Sequence, residues 1–188
     1  MSSRALRDQM VARGYVAENH GAAKAQHSFR DDPIGRAVPE LVVATQDWHP
    51  ESTPHFAKDG GIWPVHCVAD SWGAAFHPAL QVLGPSVKKG SNGEDGYSGF
   101  TMRDAETGRE TPTELEDLVR GSNARRVVVC GLATDYCVRT TALDAVRLGF
   151  ETFVLTDAIA AVNLEPDDGE RALAEMADDG VRLEQSGA

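Results

Sequence analysis

Residues 125–138 read RRVVVCGLATDYCV and join an apolar segment to a segment with helical spacing. The run from Val127 to Gly131 is β-branched and apolar, as in a buried parallel strand. From Val138 to Leu148 the apolar residues recur at helical intervals. The stretch therefore predicts a strand, a tight turn and a helix, with Cys137 at the point where the helix begins.

Cys137 is a candidate nucleophile because of that position. Unpaired N–H groups and the positive end of a helix dipole lower the pKa of a thiol and can stabilise an oxyanion. The alternative is a buried structural cysteine, since cysteine is among the most buried residue types. These residues alone leave both interpretations open.

Composition is that of an ordinary globular protein. The chain has 188 residues, of which 41% are hydrophobic and 25% charged, which predicts a single domain over residues 1–188. No run approaches the roughly 18 apolar residues of a membrane span, and no signal-peptide core begins the chain, so we expect a cytoplasmic protein.

A net charge of -11 disfavours nucleic acid as a partner. Three cysteines favour thiols over a disulfide framework. The oligomeric state is left open.

Strands and helices alternate along the rest of the chain. We predict strands over 41–45, 86–89, 127–131, 152–156 and 181–183, and helices over 111–120, 138–148 and 168–176, the first with Thr111 as cap and Pro112 in its first turn. Residues 50–77 have the composition of a long loop. This alternation predicts a three-layer α/β/α fold with a mainly parallel sheet. Residues 1–38 are atypical, with a short helix over Arg4–Arg13 and no recognisable strand.

The ends of the predicted strands carry polar residues. Because ligands bind beyond the carboxyl ends of parallel strands, Asp47, His49, Lys89, Asp135 and Cys137 are expected on one edge of the sheet. A lysine in this position is more often simply solvated. Beside a thiol, however, its ammonium would favour the thiolate.

A carboxylate and three imidazoles lie within residues 47–66. Asp47, His49, His55 and His66 suit a divalent transition metal such as Zn, Fe or Mn, and a flexible loop lets ligands converge from unequal spacings. The alternative is a set of surface histidines with a solvated carboxylate, and the spacing alone does not decide between the two.

Several blocks follow one another in a specific order, namely TQDWHP (45–50), His55, WPVHCV (63–68), Phe76 to Pro78, Lys89 with Gly90, DGYSGF (95–100), GLATDYCV (131–138) and TALDA (141–145). Together they resemble the nicotinamidase (pyrazinamidase) branch of the isochorismatase-like cysteine hydrolases. The resemblance covers about residues 40–165. It implies a Rossmann-like α/β fold and hydrolysis of nicotinamide to nicotinic acid and ammonia, a step of NAD salvage, with pyrazinamide as a second substrate.

The resemblance also implies roles for individual residues. Cys137 would be the nucleophile and Lys89 the lysine of the catalytic triad, with a cis peptide bond between Leu132 and Ala133 and an oxyanion hole formed by the N–H groups of Ala133 and Cys137. The remaining site residues would line the ring pocket (Trp63, Tyr97, Tyr136) or bind the metal (Asp47, His49, His66, and His55 directly or through water).

One family feature is not recognisable. The family opens with an apolar strand that ends in a motif similar to Asp-x-Gln-x-Asp-Phe, whose first aspartate is the general base, whereas residues 4–10 here are charged and helix-prone. We assign that role to none of Asp8, Asp31 and Asp32. The alternatives are therefore a catalytically impaired member that binds a pyridine-like ligand or a partner, and a related amidase of the same family.

Overall fold

The computed structural model of the chain describes residues 41–78, 80, 82 and 84–185. It divides into two compact units, a first unit that includes residues 43–115 and a second unit that includes residues 116–185. Within the described ranges, no helix is long and apolar enough to cross a bilayer. The predicted helix over Arg4–Arg13 lies outside these ranges.

The first unit contains a parallel pair of strands, β1 (Ala44–Asp47) and β2 (Ser86–Lys89). The prediction for β2 is confirmed, and its side chains alternate between exposed and buried positions. The prediction of a first strand over 41–45 is wrong at both ends, because pairing with β2 runs from Ala44 to Asp47. Asp47 thus lies within β1, directly opposite Lys89.

Residues 50–77 form the predicted long loop, with one 3₁₀ turn at Ala57–Asp59. Within the loop, the side chain of Phe56 is fully buried, and the backbone of Phe56 forms an isolated bridge with that of Trp63. Gly61 permits this tight path, because a Cβ there would lie 2.3 Å from backbone carbonyl oxygens of the preceding turn. The loop is therefore ordered by backbone bonds rather than by regular secondary structure.

The predicted helix start at Thr111 is wrong. Glu110–Pro112 is strand β4, which pairs antiparallel with β3 (Thr101–Arg103), and helix α1 spans Leu115–Gly121. The cap belongs to Thr113, whose hydroxyl accepts from the N–H of Leu115 at 3.1 Å. A Thr-Pro pair suits a helix start locally, but proline is also tolerated in a short edge strand, and cross-strand pairing decided between the two.

The second unit is a parallel sheet with strand order β5-β6-β7. Its strands are β5 (Arg126–Leu132), β6 (Glu151–Ala160) and β7 (Arg182–Glu184), and its helices after α1 are α2 (Arg139–Arg147) and α3 (Asp168–Asp178). All were predicted within a few residues, apart from the longer β6. The core that joins helices to sheet contains Val138, Ala142, Leu143, Val154, Met176 and Val181. The predicted α/β class is confirmed.

Candidate active site

Three imidazoles of the first unit pack against one another. The ring centroid of His49 lies 4.6 Å from that of His55 and 5.1 Å from that of His66. The centroids of His55 and His66 are 5.3 Å apart. One ring nitrogen from each residue lies within 4.8 Å of the other two. The loop therefore brings together three nitrogen donors that the sequence leaves up to 17 residues apart.

Backbone bonds hold His49 beside the segment that carries His66. The N–H of His49 donates to the carbonyl of Cys67 at 2.9 Å, and the N–H of Ala69 donates to the carbonyl of His49 at 2.7 Å. These bonds form a parallel bridge between His49 and Val68. The extension of β1 thus fixes His49 against the segment that directly follows His66.

Two of the three rings have their orientation set by a partner on Nδ1. His55 Nδ1 donates to Asp95 Oδ1 at 2.8 Å, and His66 Nδ1 donates to the carbonyl of Pro64 at 2.7 Å. An acceptor at Nδ1 places the proton there and leaves the lone pair on Nε2, which is how ligating histidines are commonly oriented. Both residues therefore present Nε2 as a donor atom.

His49 differs, because its buried Nδ1 has no hydrogen-bond partner among the described residues. The ring lies against Gly90, where an added Cβ would stand 2.6 Å from that nitrogen and 2.5 Å from Cε1. Glycine is required there by this close approach and by a φ of +73°. A buried nitrogen without a partner is costly, and a bound ion is one way to satisfy it.

Burial keeps the rings of His49 and His66 neutral. Burial lowers the pKa of His49 to about 4, against the opposing attraction of Asp47. Burial also lowers the pKa of His66, although the carbonyl of Pro64 acts in the opposite direction. Neutral imidazole is the form that binds metal, so the two rings are ready to act as ligands near neutral pH.

Asp47 and Lys89 form an ion pair at the ends of β1 and β2. The buried ammonium of Lys89 donates to Asp47 Oδ1 and to the carbonyl of Gly96. Burial is the largest single effect and would raise the pKa of Asp47, but the attraction and hydrogen bond of Lys89, together with smaller contributions from His49 and His66, hold that pKa below its usual range. Gly96 allows the approach, since a Cβ there would stand 2.9 Å from the backbone nitrogen of Gly90.

Potential metal ligands in the first unit fall into two groups. One contains His49, His55 and His66, and the other contains Asp47, His66 and Cys67, with the donor atoms of each group within 4.8 Å of one another. Imidazole nitrogen and carboxylate oxygen suit a divalent transition metal, and the unpartnered nitrogen of His49 is consistent with one. The residues present therefore fit a metal ion.

An aromatic pair borders the imidazoles. Trp63 Nε1 donates to the hydroxyl of Tyr97 at 2.7 Å. The ring of His55 lies 6.2 Å from that of Trp63, with the two nearly parallel, and 5.6 Å from that of Tyr97. Two of the three residues predicted to line a ring pocket thus lie next to the histidine cluster.

In the second unit, Cys137 lies on the turn that follows β5. The peptide bond between Leu132 and Ala133 is cis, and residues Thr134–Val138 form one π-helical turn before α2 begins at Arg139. The carbonyl of Ala133 accepts from the N–H groups of Tyr136 and Val138 at 3.1 and 3.0 Å. Cys137 is half-buried. It precedes the α-helix rather than opening it, and π-helical turns are frequent at functional sites.

Asp135 ties this turn to the segment after β6. Its carboxylate is 5% exposed and accepts from the N–H of Val162 at 3.0 Å and from the N–H of Asn163 at 2.8 Å. Asn163 in turn accepts from the N–H of Gly169 at 2.8 Å, in the first turn of α3. The turn that carries Cys137 is thereby anchored at Asp135, two residues before Cys137.

Tyr136 is the third predicted pocket residue and lies in the second unit. It borders a small polar cavity of about 140 Å³ together with Asp135, Arg139, Asp168 and Arg171. Partial burial raises the pKa of Tyr136, and the neighbouring carboxylates of Asp135 and Asp168 raise it further. Its hydroxyl is therefore neutral at physiological pH.

The model of the isochorismatase domain matches residues 22–186. The chain belongs to the isochorismatase family. Nicotinamidase from Escherichia coli (strain K12) is 38% identical over 196 residues, which cover 95% of this chain and 90% of that enzyme. The resemblance stated from the sequence is confirmed.

Two solved structures are similar to this chain in fold. The pyrazinamidase of Pyrococcus horikoshii in complex with zinc has a TM-score of 0.71 and 38% identity, covering 88% of this chain and 85% of that one. PnC1 from L. infantum in complex with nicotinate has a TM-score of 0.77 and 36% identity, covering 89% of this chain and 80% of that one.

Sequence reasoning missed several contributors to this isochorismatase-family site. Asp95, Gly90 and Cys67 lie within motifs that were recognised, but nothing local shows that they touch histidines. Asp135 was placed at the sheet edge with the candidate site residues, whereas its carboxylate binds backbone. Asp8, Asp31 and Asp32 lie outside the described residues.

Proposed function

We propose that this chain hydrolyses the carboxamide of nicotinamide to nicotinic acid and ammonia, and that it also accepts pyrazinamide. The observation that carries the proposal is the cluster of three imidazoles beside the hydrogen-bonded pair of Trp63 and Tyr97. Donors for a metal next to flat aromatic rings suit a heteroaromatic substrate with a ring nitrogen. The relatives that carry the names nicotinamidase and pyrazinamidase support the same substrate class.

The metal would be one divalent ion, Zn, Fe or Mn, held by Asp47, His49 and His66 with His55 as a fourth contact. When bound, it would supply a Lewis-acidic contact for the ring nitrogen of the substrate. His49 and His66 serve this purpose because burial keeps them neutral. Asp95 and the carbonyl of Pro64 fix the rings of His55 and His66.

Cys137 would be the nucleophile. Its thiolate attacks the amide carbon, a carbon–sulfur bond forms, and the carbon–nitrogen bond breaks as ammonia leaves with the proton of the thiol. Water then hydrolyses the thioester to the carboxylate and regenerates the thiol. The N–H groups of Ala133 and Cys137 would stabilise the oxyanion, and Tyr136 would contribute to the ring pocket.

Lys89 would be the triad lysine that favours the thiolate and the developing negative charge. Its burial and its pairing with Asp47 support a role as a fixed positive charge rather than a solvated side chain. We further propose that the reaction belongs to NAD salvage in the cytoplasm.

Ammonia release tests the proposal. We expect turnover of nicotinamide by metal-loaded protein and by Cys130→Ser, which removes a thiol that the reaction does not use, and none by Cys137→Ala. Equal rates for wild type and Cys137→Ala would exclude Cys137 as nucleophile. Calorimetry that finds nicotinamide binding without turnover by the wild type would instead favour a catalytically impaired member, and a panel of other amides would reveal a related amidase.

A further inference from the structure

We propose that Thr53 is a positioning residue of the metal site, because its hydroxyl holds the backbone from which the ring of His55 projects. The hydroxyl donates to the carbonyl of Gly93 at 2.9 Å and accepts from the N–H of His55 at 3.2 Å. The residue is 2% exposed, although it lies in a loop. The proposal rests on the metal-binding role proposed above for His55.

Residues 53–56 form a tight turn around His55. The N–H of Phe56 donates to the carbonyl of Thr53 at 3.0 Å, and Pro54 holds the second position, where its fixed φ suits a β-turn. A hydroxyl at the first position of such a turn can accept from the N–H two residues later, which is the bond to His55. The N–H of Thr53 donates to Asp59 Oδ2 at 3.0 Å. The turn is therefore anchored at its first residue, on both sides of the chain.

Two side-chain bonds join this turn to residues 93–95. One is the bond from Thr53 to the carbonyl of Gly93, and the other runs from His55 Nδ1 to Asp95 Oδ1 at 2.8 Å. Both span 40 residues of sequence, so together they align the same two segments. Asp95 sets the rotation of the imidazole, whereas Thr53 sets the position of the backbone that carries it. A ligand needs both to be fixed, to within about 0.5 Å.

Removal of the hydroxyl isolates this contribution. In Thr53→Val the side chain keeps its branched shape, but the buried N–H of His55 loses this acceptor and the turn loses its bond to Gly93. Asp95 then holds the ring without support from the backbone. Loss of a group that orients a ligand lowers metal affinity by about 10- to 100-fold. We expect a loss of about tenfold, at the lower end, because Thr53 acts through the backbone and not on the ring itself.

Calorimetric titration with Zn²⁺ tests this on the full chain after removal of bound metal with a chelator. Affinity should fall by about tenfold in Thr53→Val and equally in Thr53→Ala, whereas Thr53→Ser keeps the hydroxyl and should stay within about twofold of the wild type. Circular dichroism checks that each variant is folded. Wild-type affinity in Thr53→Val, or an affinity in Thr53→Ser as low as in Thr53→Val, would overturn the proposal.

Thr113 provides a matched control in the same unit. Its hydroxyl makes the same pair of bonds, donating to the carbonyl of Gly99 at 2.6 Å and accepting from the N–H of Leu115 at 3.1 Å. The residue that it holds, Leu115, has no metal-binding side chain. Thr113→Val should therefore lower stability and leave the affinity for Zn²⁺ unchanged. An equal loss of affinity in Thr113→Val would mean that the effect of Thr53 is general loosening of the unit, which overturns the proposal.

A double-mutant cycle identifies the residue through which Thr53 acts. In a His55→Ala background, Thr53→Val should change Zn²⁺ affinity by less than about twofold, because the ring that it positions is absent. A tenfold loss in both backgrounds would overturn the proposal. Wild-type affinity in His55→Ala would reject His55 as a metal contact and the role of Thr53 with it. None of these titrations uses an amide, so absence of nicotinamide turnover would reject the proposed hydrolysis alone.

Discussion

Replacement of Asp135 by alanine probes the anchor of the turn that carries Cys137. The buried carboxylate accepts from two successive backbone N–H groups, of Val162 and Asn163, at 3.0 and 2.8 Å. In Asp135→Ala both donors lose their partner inside the second unit. A hydrogen bond to a charged group contributes about 1.5 to 3 kcal/mol, and part of that is offset because the variant no longer buries a carboxylate. We expect the free energy of unfolding to fall by about 3 kcal/mol.

Urea denaturation followed by far-ultraviolet circular dichroism measures this change. A loss of about 3 kcal/mol corresponds to a drop in melting temperature of roughly 6 to 12 °C for a chain of this size. The slope of the free energy against urea should stay the same, because the surface exposed on unfolding is unchanged. Amidase activity should fall with it, since Cys137 lies two residues away on the same turn.

Two variants serve as controls. Asp135→Asn keeps the shape and one acceptor oxygen, so we expect roughly half the loss. Asp178→Ala removes an exposed carboxylate in the last turn of α3 and should change stability by less than about 0.5 kcal/mol. If the free energy of unfolding of Asp135→Ala also differs from that of the wild type by less than about 0.5 kcal/mol, the two hydrogen bonds do not anchor the turn and the reasoning is refuted.

Three further predictions follow from single contacts. Asp95→Asn weakens the acceptor that orients His55, a proposed metal ligand, so metal affinity measured by calorimetry should fall by about tenfold. An unchanged affinity would contradict that role of Asp95. Gly90→Ala places a Cβ 2.5 Å from the ring of His49 and should reduce both metal affinity and stability, the latter by about 1 to 3 kcal/mol. The control Gly93→Ala has a φ of +94° but room for a Cβ, so it should reduce stability alone. Burial raises the pKa of Cys130 to about 11, so at pH 8 about one molecule in a thousand carries the thiolate. Peptide mapping should therefore find slow alkylation of Cys130 that accelerates as the pH approaches 11. Labelling at pH 8 as fast as that of glutathione would contradict this prediction.

Local patterns predicted most elements where neighbours in sequence decide the conformation. Strand β2 was predicted with its observed ends because Gly90 stops a short alternating segment. The start of α1 was misplaced because Thr111 and Pro112 satisfy a helix-start rule, while their pairing with β3 depends on residues about ten positions earlier. The single-domain organisation stays a prediction.

For the site, motifs likewise identified individual residues but not the contacts between them. The motifs singled out His55, but its orientation depends on Asp95, which lies 40 residues away in the chain. They likewise singled out Lys89 and Asp47, but not the ion pair between them, because that pair forms only when β1 and β2 align in register. No periodicity of 2 or 3.6 residues carries that information.

By itself, the sequence determined the order of strands and helices in the second unit, a cysteine at a strand-to-helix turn, and a short segment rich in metal-binding side chains. These depend on local propensity and on residue type. Tertiary structure alone decided that Nε2 of His55 and His66 is the available donor, that His66 is common to two ligand groups, and that Asp135 binds backbone. Each of these is set by contacts between atoms distant in sequence, whose positions only the folded backbone brings together.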